Sequence, residues 1–461
     1  MDGIYTISNY LVTSSSDNHG GKLVYSYYGL GQFSYANFLY LDVTLRNDHS
    51  SALPKENDSY WYHSENLSFM FHELLSINPS ILNSGKLRAS YAKVGNDTGP
   101  YRTQQVYNIA QTPTLPYAVG SIPSNLPAFD LRPEITNSWE IGADLAFVNS
   151  RILFDITYYQ SVTRDQIMSI PITGATGFNS KVVNAGSISS SGIEMQLTTV
   201  PYRNDNFSWD LGINYTKSSS QVDALADNLE SIVLNRLWTV SIEARPGEEY
   251  GSIYANDYLR NKSGQKLITD GGQAQRGERI KMGSINPDFY GGLTNNFTYK
   301  NFALRTLISF QKGGEFYTHG RYYRMLFGTD ARTLEGREDG IIVDGINENT
   351  GNPNSVAVAP LAKNFTDLFL NEVTTDLILD ATNVKLKEVI LTYTLPRSIL
   401  ENSFIQKLTI SAIGRDLLFL KNAAGDIDPQ ASYTSNPTGA SLEHSSLPST
   451  RTFGVDLKIN F

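Results

Sequence analysis

Cysteine is absent from the 461 residues, so the chain can form neither a disulfide framework nor a thiolate metal site. It also contains no run of about 18 apolar residues, which excludes a transmembrane helix. An excess of positive charge is missing too: the formal net charge is -9, whereas a protein that binds nucleic-acid phosphates needs a positive surface. We therefore expect no nucleic-acid partner.

The motifs of common enzymes and metal proteins are missing as well. The sequence contains no GxSxG, GxGxxG or P-loop motif, and its six histidines form no HExxH pair. The segment DGINENTG, residues 344–351, fails the EF-hand pattern because Ile346 stands where an oxygen ligand is required. Asp426 and Asp428 in GDIDPQ could bind Ca²⁺, but a turn capped by aspartate is the better explanation. We predict no catalytic residue, no cofactor and no metal site.

What the sequence does contain is typical of an all-β protein. It has 27 Tyr against 4 Trp, together with 36 Gly and many Asn, Ser and Thr. Apolar and polar residues alternate with a period of two in segments near the length of about 9 to 11 residues that crosses a bilayer. We predict thirteen strands, at residues 22–35, 38–48, 60–72, 86–95, 137–148, 151–165, 189–200, 206–220, 288–299, 302–313, 382–395, 407–418 and 450–461.

The connections between these segments alternate between very short and very long. Tight turns are predicted at 36–37, 149–151 and 300–301, and aromatic residues flank them as in an interface girdle, although cross-strand pairing would also place them there. Structureless loops of the longer kind are unusual in a compact soluble domain but typical of an outer-membrane barrel with long extracellular loops. The long connections are 96–136, 222–287, 314–381 and 421–449.

Carboxylates recur at the polar positions of the alternating segments. A glycosidase needs two carboxylates about 5 to 9 Å apart, and an acidic β-protein could hold such a pair. Because these residues are spread over many strands, we favour the alternative in which they line the water-filled lumen of a barrel. They are Asp42, Glu140, Asp144, Asp155, Glu194, Asp210 and Asp456.

The end of the chain keeps the two-residue period to its last residue, whereas a terminus is normally small or polar unless something holds it. In RTFGVDLKINF, residues 451–461, Asp456 and Lys458 are expected to face the lumen, and the other face to contact outer-membrane lipid. That apolar face consists of Phe453, Val455, Leu457, Ile459 and Phe461.

Seven stretches resemble, in order, the C-terminal half of the SusC/RagA family of TonB-dependent outer-membrane transporters from Bacteroidetes. A final strand that ends in Phe also resembles the signal read by the barrel-assembly machinery. The seven stretches are KLRASYAKVGNDTGPY (86–101), LRPEITNSWEIGADL (131–145), NAGSISSSGIEMQL (184–197), INPDFYGGLTNNFTYKNFAL (285–304), LKEVILTYTLP (386–396), GRDLLFLKNAAGDIDPQASY (414–433) and SLPSTRTFGVDLKINF (446–461).

The resemblance implies an antiparallel transmembrane β-barrel of about 22 strands, of which this chain supplies about the last 13. Residues 1–21 would be the remnant of an extracellular loop, and residues 22–461 the C-terminal part of the barrel domain. The start MDGIYTISNY has no signal-peptide pattern. The carboxypeptidase-like domain, the plug and the first strands also have no counterpart, so we expect a fragment of a longer protein.

The family further implies a nutrient importer of the cell outer membrane. In it a SusD-like lipoprotein covers the barrel, and the TonB complex, acting on the N-terminal part, drives uptake of oligosaccharides or peptides. The family alone places glycans slightly ahead of peptides. No covalent chemistry is expected, so the protein would not be an enzyme.

Aromatic side chains in the long loops are the candidates for substrate contact, since they could stack on sugar rings or pack against a peptide. The alternative is that they pack the loops against each other or against the lipoprotein. The candidates are Trp238, Tyr250, Tyr254, Tyr258, Tyr317, Tyr322 and Tyr323.

Two other classes of protein share these features. A soluble, secreted all-β carbohydrate-binding protein or hydrolase would bury the apolar faces in a sandwich core. A passive porin would have the barrel without a plug. Extraction only with detergent would favour the barrel, and recovery in the soluble periplasmic fraction would contradict it.

Overall fold

Strands dominate the computed structural model, in which residues 1–19, and with them nearly all of the predicted loop remnant 1–21, lie outside the described part. The structure describes residues 20–75, 77–78, 80–111, 118–226, 229–401, 403–432 and 434–461.

One antiparallel sheet of thirteen strands forms the body of the structure, and its strand order follows the chain. The strands β1 and β13 form its two edges, so the barrel is not closed. The strands are β1 (Val24–Tyr35), β2 (Leu39–Ser50), β3 (Ser59–Phe69), β4 (Leu82–Asn96), β5 (Glu134–Phe147), β6 (Ile152–Arg164), β7 (Ser187–Arg203), β8 (Phe207–Ala224), β9 (Phe289–Tyr299), β10 (Phe302–Lys312), β11 (Asn383–Thr394), β12 (Lys407–Asn422) and β13 (Thr452–Asn460).

All thirteen predicted strands are confirmed, although their ends differ. The strand predicted at 60–72 ends at Phe69, because the chain then turns into a short helix, α1 (Phe71–Leu75). The strands β7 and β8 have 17 and 18 residues. That is more than the 9 to 11 or so that cross a bilayer, so these strands extend beyond the lipid.

Tight turns make most of the connections at one end of the sheet, the turn end, and most of the connections at the other end, the loop end, are long. The hairpin between β1 and β2 turns on Ala36 and Asn37, whose φ angles are 48° and 58°. Two consecutive residues of positive φ characterise the type I′ turn, whose twist matches that of the flanking strands. The chain therefore reverses tightly at the turn end.

The register of the strand pairs separates an apolar from a polar face. Directly opposite residues share a face, and Leu41 lies opposite Phe33 and Leu67. The neighbouring position, Asp42, lies opposite Gln32 and Asn66. Followed from strand to strand, the pairing places all seven carboxylates on the polar face, as the alternation predicts.

The long connections at the loop end are folded, which the expectation of structureless loops did not include. They contain short strands, four of which form a separate sheet: Ile232–Leu237, Val240–Ala244, Ser252–Tyr258 and Arg276–Ser284. The other short strands are Asn108–Gln111, Ala118–Ser121, Asn125–Leu126, Ile167–Pro171, Ser180–Asn184, Leu267–Ile268, Glu315–Thr318, Ile341–Ile342, Ile346–Asn347, Ala357–Val358, Ile378–Asp380 and Leu442–Glu443.

The helices are short as well, and none in the described part of the chain is long and apolar enough to cross a membrane. Beside α1 they are α2 (His319–Leu326), α3 (Pro360–Asn364) and α4 (Arg397–Leu400). A π-helical segment, Phe365–Leu370, follows α3, and 3-10 turns occur at Gly174–Thr176, Ala331–Thr333 and Thr375–Leu377.

The main hydrophobic core lies in these connections and not in the sheet. It joins three of them, since Ile242 and Ile253 pack with Tyr317 and with Leu442, and all four side chains are 0% exposed. Segments that lack a lipid-facing row can bury apolar side chains only against one another. We call the connections 225–288, 313–382 and 423–451 together the loop assembly.

Truncating this core should loosen the loop assembly and leave the sheet intact. For Ile242→Ala we expect a loss of about 2–5 kcal/mol in the free energy of opening of the assembly, because a buried side chain leaves a cavity. Hydrogen exchange of residues 240–258 measures it. Val233→Ala, at a position 44% exposed in the same small sheet, is the control and should change little. Equal exchange in the two variants would contradict a shared core.

Candidate functional site

The three connections of the loop assembly are bound to each other by backbone hydrogen bonds as well as by their core. Tyr317 and Thr318 pair in parallel with Leu442 and Glu443, and Tyr317 N–H donates to the carbonyl of Ser441 at 2.9 Å. Asn256 Nδ2 donates to the carbonyl of Glu372 at 3.1 Å. The assembly is therefore one folded unit above the sheet.

Four of the aromatic candidates are buried inside this unit. The exposed fractions are 4% for Tyr254, 5% for Tyr258 and Tyr322, and 0% for Tyr317. Tyr254 donates to Glu248 Oε1 at 2.6 Å, and burial followed by this bond raises its pKa to about 12. Tyr258 donates to Asp376 Oδ2 at 2.8 Å. The faces of these rings are not accessible to a substrate. They fit the second interpretation, in which the aromatic side chains pack the loops against each other.

Trp238 is the candidate that the structure exposes most, at 58%. It sits in the hairpin turn between Ile232–Leu237 and Val240–Ala244 with a φ of 54°, a conformation that is rare for a bulky residue but that tight hairpin turns require. Its ring stacks on His319 with centroids 5.6 Å apart. Tyr250 is half-buried, beside a cavity of about 240 Å³ that separates the loop assembly from residues 166–168.

His319 lies at the centre of an aromatic cluster. Its side chain is 0% exposed, and Tyr317 Oη and His319 Nδ1 share a hydrogen bond of 2.9 Å. Tyr322, Tyr323 and His444 have ring centroids 4.9, 4.6 and 4.9 Å from its own. Burial, and next the neighbouring His444, lower the pKa of His319 to about 4. The ring is thus neutral near neutral pH.

A cavity of about 400 Å³ separates α2 from the last connection. Tyr323 is half-buried in its wall. Asp426 bridges α2 from the opposite side, with Arg321 2.6 Å and Arg324 2.8 Å away. Burial opposes ionisation of Asp426, but hydrogen bonds from Arg324 and Arg321 hold its pKa below the ordinary value. The lining residues are Gly320, Tyr323, Arg324, Asp426, Ile427, Asp428, Ala431, Glu443, Ser445, Ser446 and Pro448.

Arg324 and Glu443 were not among the sequence candidates, and Asp426 was considered only as a Ca²⁺ ligand or a turn residue. The turn explains part of the environment of Asp426, and the ion pairs of Asp426 with α2 explain the rest. Among the residues that the structure describes, no group of three or more His, Asp or Glu could hold a metal ion. No local sequence signal connects Asp426 to α2, because the partners are about a hundred positions apart.

The polar face of the sheet carries a charged cluster near the turn end. Lys86 Nζ lies 2.9 Å from Asp144 Oδ2, and both amino groups of Arg88 lie 3.0 Å from Asp155 oxygens. Arg88 also contacts Asp144. The two carboxylates are directly opposite each other, and the shared guanidinium of Arg88 together with Lys86 balances their charges, so the cluster is a network of ion pairs.

The C-terminal strand β13 is the exposed edge of the sheet. All five apolar residues of its end are exposed, from Val455 at 79% to Ile459 at 38%. Phe461 stacks on Phe404 with ring centroids 5.6 Å apart at the turn end. The outward-facing side chains of β13 thus continue the apolar face of the sheet to the last residue.

Together, an antiparallel sheet in chain order, an apolar outer row, a polar inner face and folded loops at one end define the wall of an outer-membrane β-barrel. A family model described as "TonB dependent receptor-like, beta-barrel" matches residues 2–323. The chain belongs to this family, whose members are proteins of the outer membrane, and so it is an outer-membrane protein.

Curated relatives match along most of the chain. The "TonB-dependent receptor P3" of Formosa agariphila is 24% identical over 95% of this chain and 45% of its own length. The "TonB-dependent receptor SusC" of Bacteroides thetaiotaomicron is 27% identical over 60% of this chain and 30% of its own. The chain spans about half the length of the first of these relatives. The resemblance to the SusC/RagA family is confirmed.

Among solved structures, "Structure of the RagAB peptide transporter" superposes with a TM-score of 0.77 at 19% identity, over 100% of this chain and 50% of that one. The same transporter in the "open-open" state gives a TM-score of 0.74 at 18% identity. At this identity the likeness concerns the fold alone, and it confirms the barrel wall.

The buried His319 predicts a pH dependence of the loop assembly. An unfolded histidine takes up a proton near pH 6.5 and folded His319 only near 4, so the assembly loses stability as the pH falls from about 6.5 to about 4. His319→Phe keeps a ring and should remove this slope. Limited proteolysis of the assembly between pH 7 and 4 measures it. His63→Phe, on the sheet, should keep the wild-type slope; a slope lost in both variants would contradict the assignment.

Proposed function

We propose that this chain forms the C-terminal part of the barrel of a SusC-like nutrient importer that takes up oligosaccharides or peptides. The observation that carries the proposal is the folded loop assembly at the end of a sheet whose polar face is continuous. Such an arrangement offers a binding surface outside the membrane and a wet path through it. The relatives named TonB-dependent receptor and SusC, and the fold shared with a peptide transporter, support it.

Energy coupling and the lipoprotein that covers the barrel belong to the same proposal. The relatives are about twice as long as the part of them that this chain matches. We assign the plug and the contact with the TonB complex to the remaining part, and residues 22–461 to the C-terminal part of the barrel. A SusD-like lipoprotein is the partner for the loop assembly.

The chain has a transport role and no catalytic one in this proposal. The family consists of transporters and receptors. The paired carboxylates Asp144 and Asp155 share Arg88, so neither has the environment of a general acid. Of the aromatic candidates we retain Trp238, Tyr250 and Tyr323 for substrate contact, because they alone are exposed or half-buried.

The alternatives are weaker. A soluble carbohydrate-binding protein or hydrolase would cover the apolar row, whereas here side chains of that row such as Phe33 and Ile141 are more than half exposed. A passive porin shares the wall and differs by the absence of a plug. Uptake that requires the TonB complex would distinguish the proposed importer from a passive porin.

Deletion of the gene tests the importer. Cells without it should lose uptake of either a fluorescent oligosaccharide or a fluorescent peptide, and uptake should also stop when the TonB complex is inactivated. Complementation with the full-length gene should restore it. Uptake that persists without the TonB complex would indicate the porin, and recovery of the protein without detergent would indicate the soluble class.

The end of β13 supports a second expectation, that the barrel-assembly machinery recognises this strand. Deleting Phe461 from the full-length protein should lower the amount inserted in the outer membrane by several-fold, because the machinery loses the aromatic ring that it would recognise. Folded protein is measured by its resistance to heat and SDS. Phe404→Ala removes the same stacking pair and is the control; it should insert normally. Normal insertion of the deletion variant would refute recognition through Phe461.

A further inference from the structure

The cavity beside α2 has the size of a small-molecule site. Its volume of about 400 Å³ falls in the range of about 300 to 1,000 Å³ that is usual for ligand pockets. One wall comes from α2 and the other from the last connection, residues 426–448. Both belong to the loop assembly, so the cavity lies outside the membrane.

An aromatic surface forms one side of the cavity and continues out of it. Tyr323 lies in the wall, and Phe327, one helical turn further on, is 70% exposed. The two rings are nearly parallel, with an interplanar angle of 4° and centroids 6.0 Å apart. Flat apolar faces of this kind bind the C–H faces of sugar rings as well as other flat groups.

The polar groups of the lining are mainly hydrogen-bond acceptors. The lining contains three carboxylates and one guanidinium, that of Arg324, which is paired with Asp426 at 2.8 Å and lies 3.6 Å from Asp330. Each oxygen of Asp426 accepts one arginine hydrogen bond and keeps a second lone pair. Arg321 and Arg324 balance the charge of Asp426, and Lys385 lies 3.9 Å from Asp428, so the lining chiefly offers acceptors to a ligand that donates several hydrogen bonds.

Glu443, one of the three carboxylates, and the hydroxyl of Ser446 add to the polarity of this wall. Glu443 is 4% exposed and already accepts from Thr318 Oγ1 at 2.8 Å, from the N–H of Gly320 at 3.0 Å and from the N–H of Ser446 at 2.7 Å. These bonds fix its carboxylate in position. The buried Oγ of Ser446 has no hydrogen-bond partner in the described part of the chain. A hydroxyl-rich ligand could supply that partner, which unsatisfied groups of this kind generally have.

We propose that this cavity binds one uncharged sugar ring of the imported oligosaccharide, with the ring stacked on Tyr323 and its hydroxyls donating to Asp426 and Glu443. The assignment rests on the proposed importer function. A peptide fits less well, because its backbone brings as many acceptors as donors to a lining that mainly accepts hydrogen bonds. The site therefore selects neutral glycans.

Binding to the purified protein tests the site. The full-length protein, extracted from outer membranes in detergent, is applied to an array of neutral oligosaccharides and, in parallel, to a pool of hexapeptides. We expect binding to at least one neutral oligosaccharide. For the strongest of them, Tyr323→Leu should raise the Kd by about tenfold or more, because the aromatic face is lost. Tyr323→Phe keeps that face and should stay within about twofold.

Phe369→Leu is the matched control, at a position of the loop assembly that is 52% exposed and outside the cavity. It should bind as the wild type does, and all three variants should resist limited proteolysis equally. Unchanged binding by Tyr323→Leu, or equal loss in Phe369→Leu, would overturn the location.

Binding of hexapeptides with no binding of any neutral oligosaccharide would overturn the sugar assignment and leave the importer standing. The importer is tested separately, by the uptake measurements in the gene-deletion strain.

Discussion

The two-residue alternation of side chains along paired strands is the constraint on which the rest of the structure depends. In hydrocarbon no water is present to satisfy the backbone, so each N–H and C=O must bond to a neighbouring strand. The same pairing sends alternate side chains to lipid and to water. Leu41 and Asp42, adjacent in sequence, thus belong to opposite environments, and every later strand must keep this phase.

The hydrophobic effect stabilises the loop assembly and not the sheet. Lipid tails are as apolar as leucine, so an apolar side chain gains little by leaving lipid for the protein interior. Above the membrane water restores the driving force, and there Ile242, Ile253 and Leu442 are completely buried. This division explains why the loop assembly resembles a small globular domain, while the sheet keeps its large apolar residues exposed.

The alternation allowed all thirteen strands to be predicted, because other folds rarely keep a two-residue alternation over nine or more residues. The loop assembly was missed since its strands are often two to seven residues long, too short for a period to be counted. The candidate site was only partly predictable for a related reason. Tyr322 and Tyr323 are adjacent and of one type, yet one is buried against His319 and the other lines the cavity. Only the docking of α2 on the last connection distinguishes them.

The common core of the three connections has a consequence for how recognition can change between related proteins. A substitution at Tyr317 or Leu442 touches side chains from the other connections at once, so the segments must vary in concert. Exchanging one loop alone would bring mismatched halves together. A graft that aims to transfer ligand preference from one barrel to another has to move all three segments as a single module, cut where the strands leave the membrane.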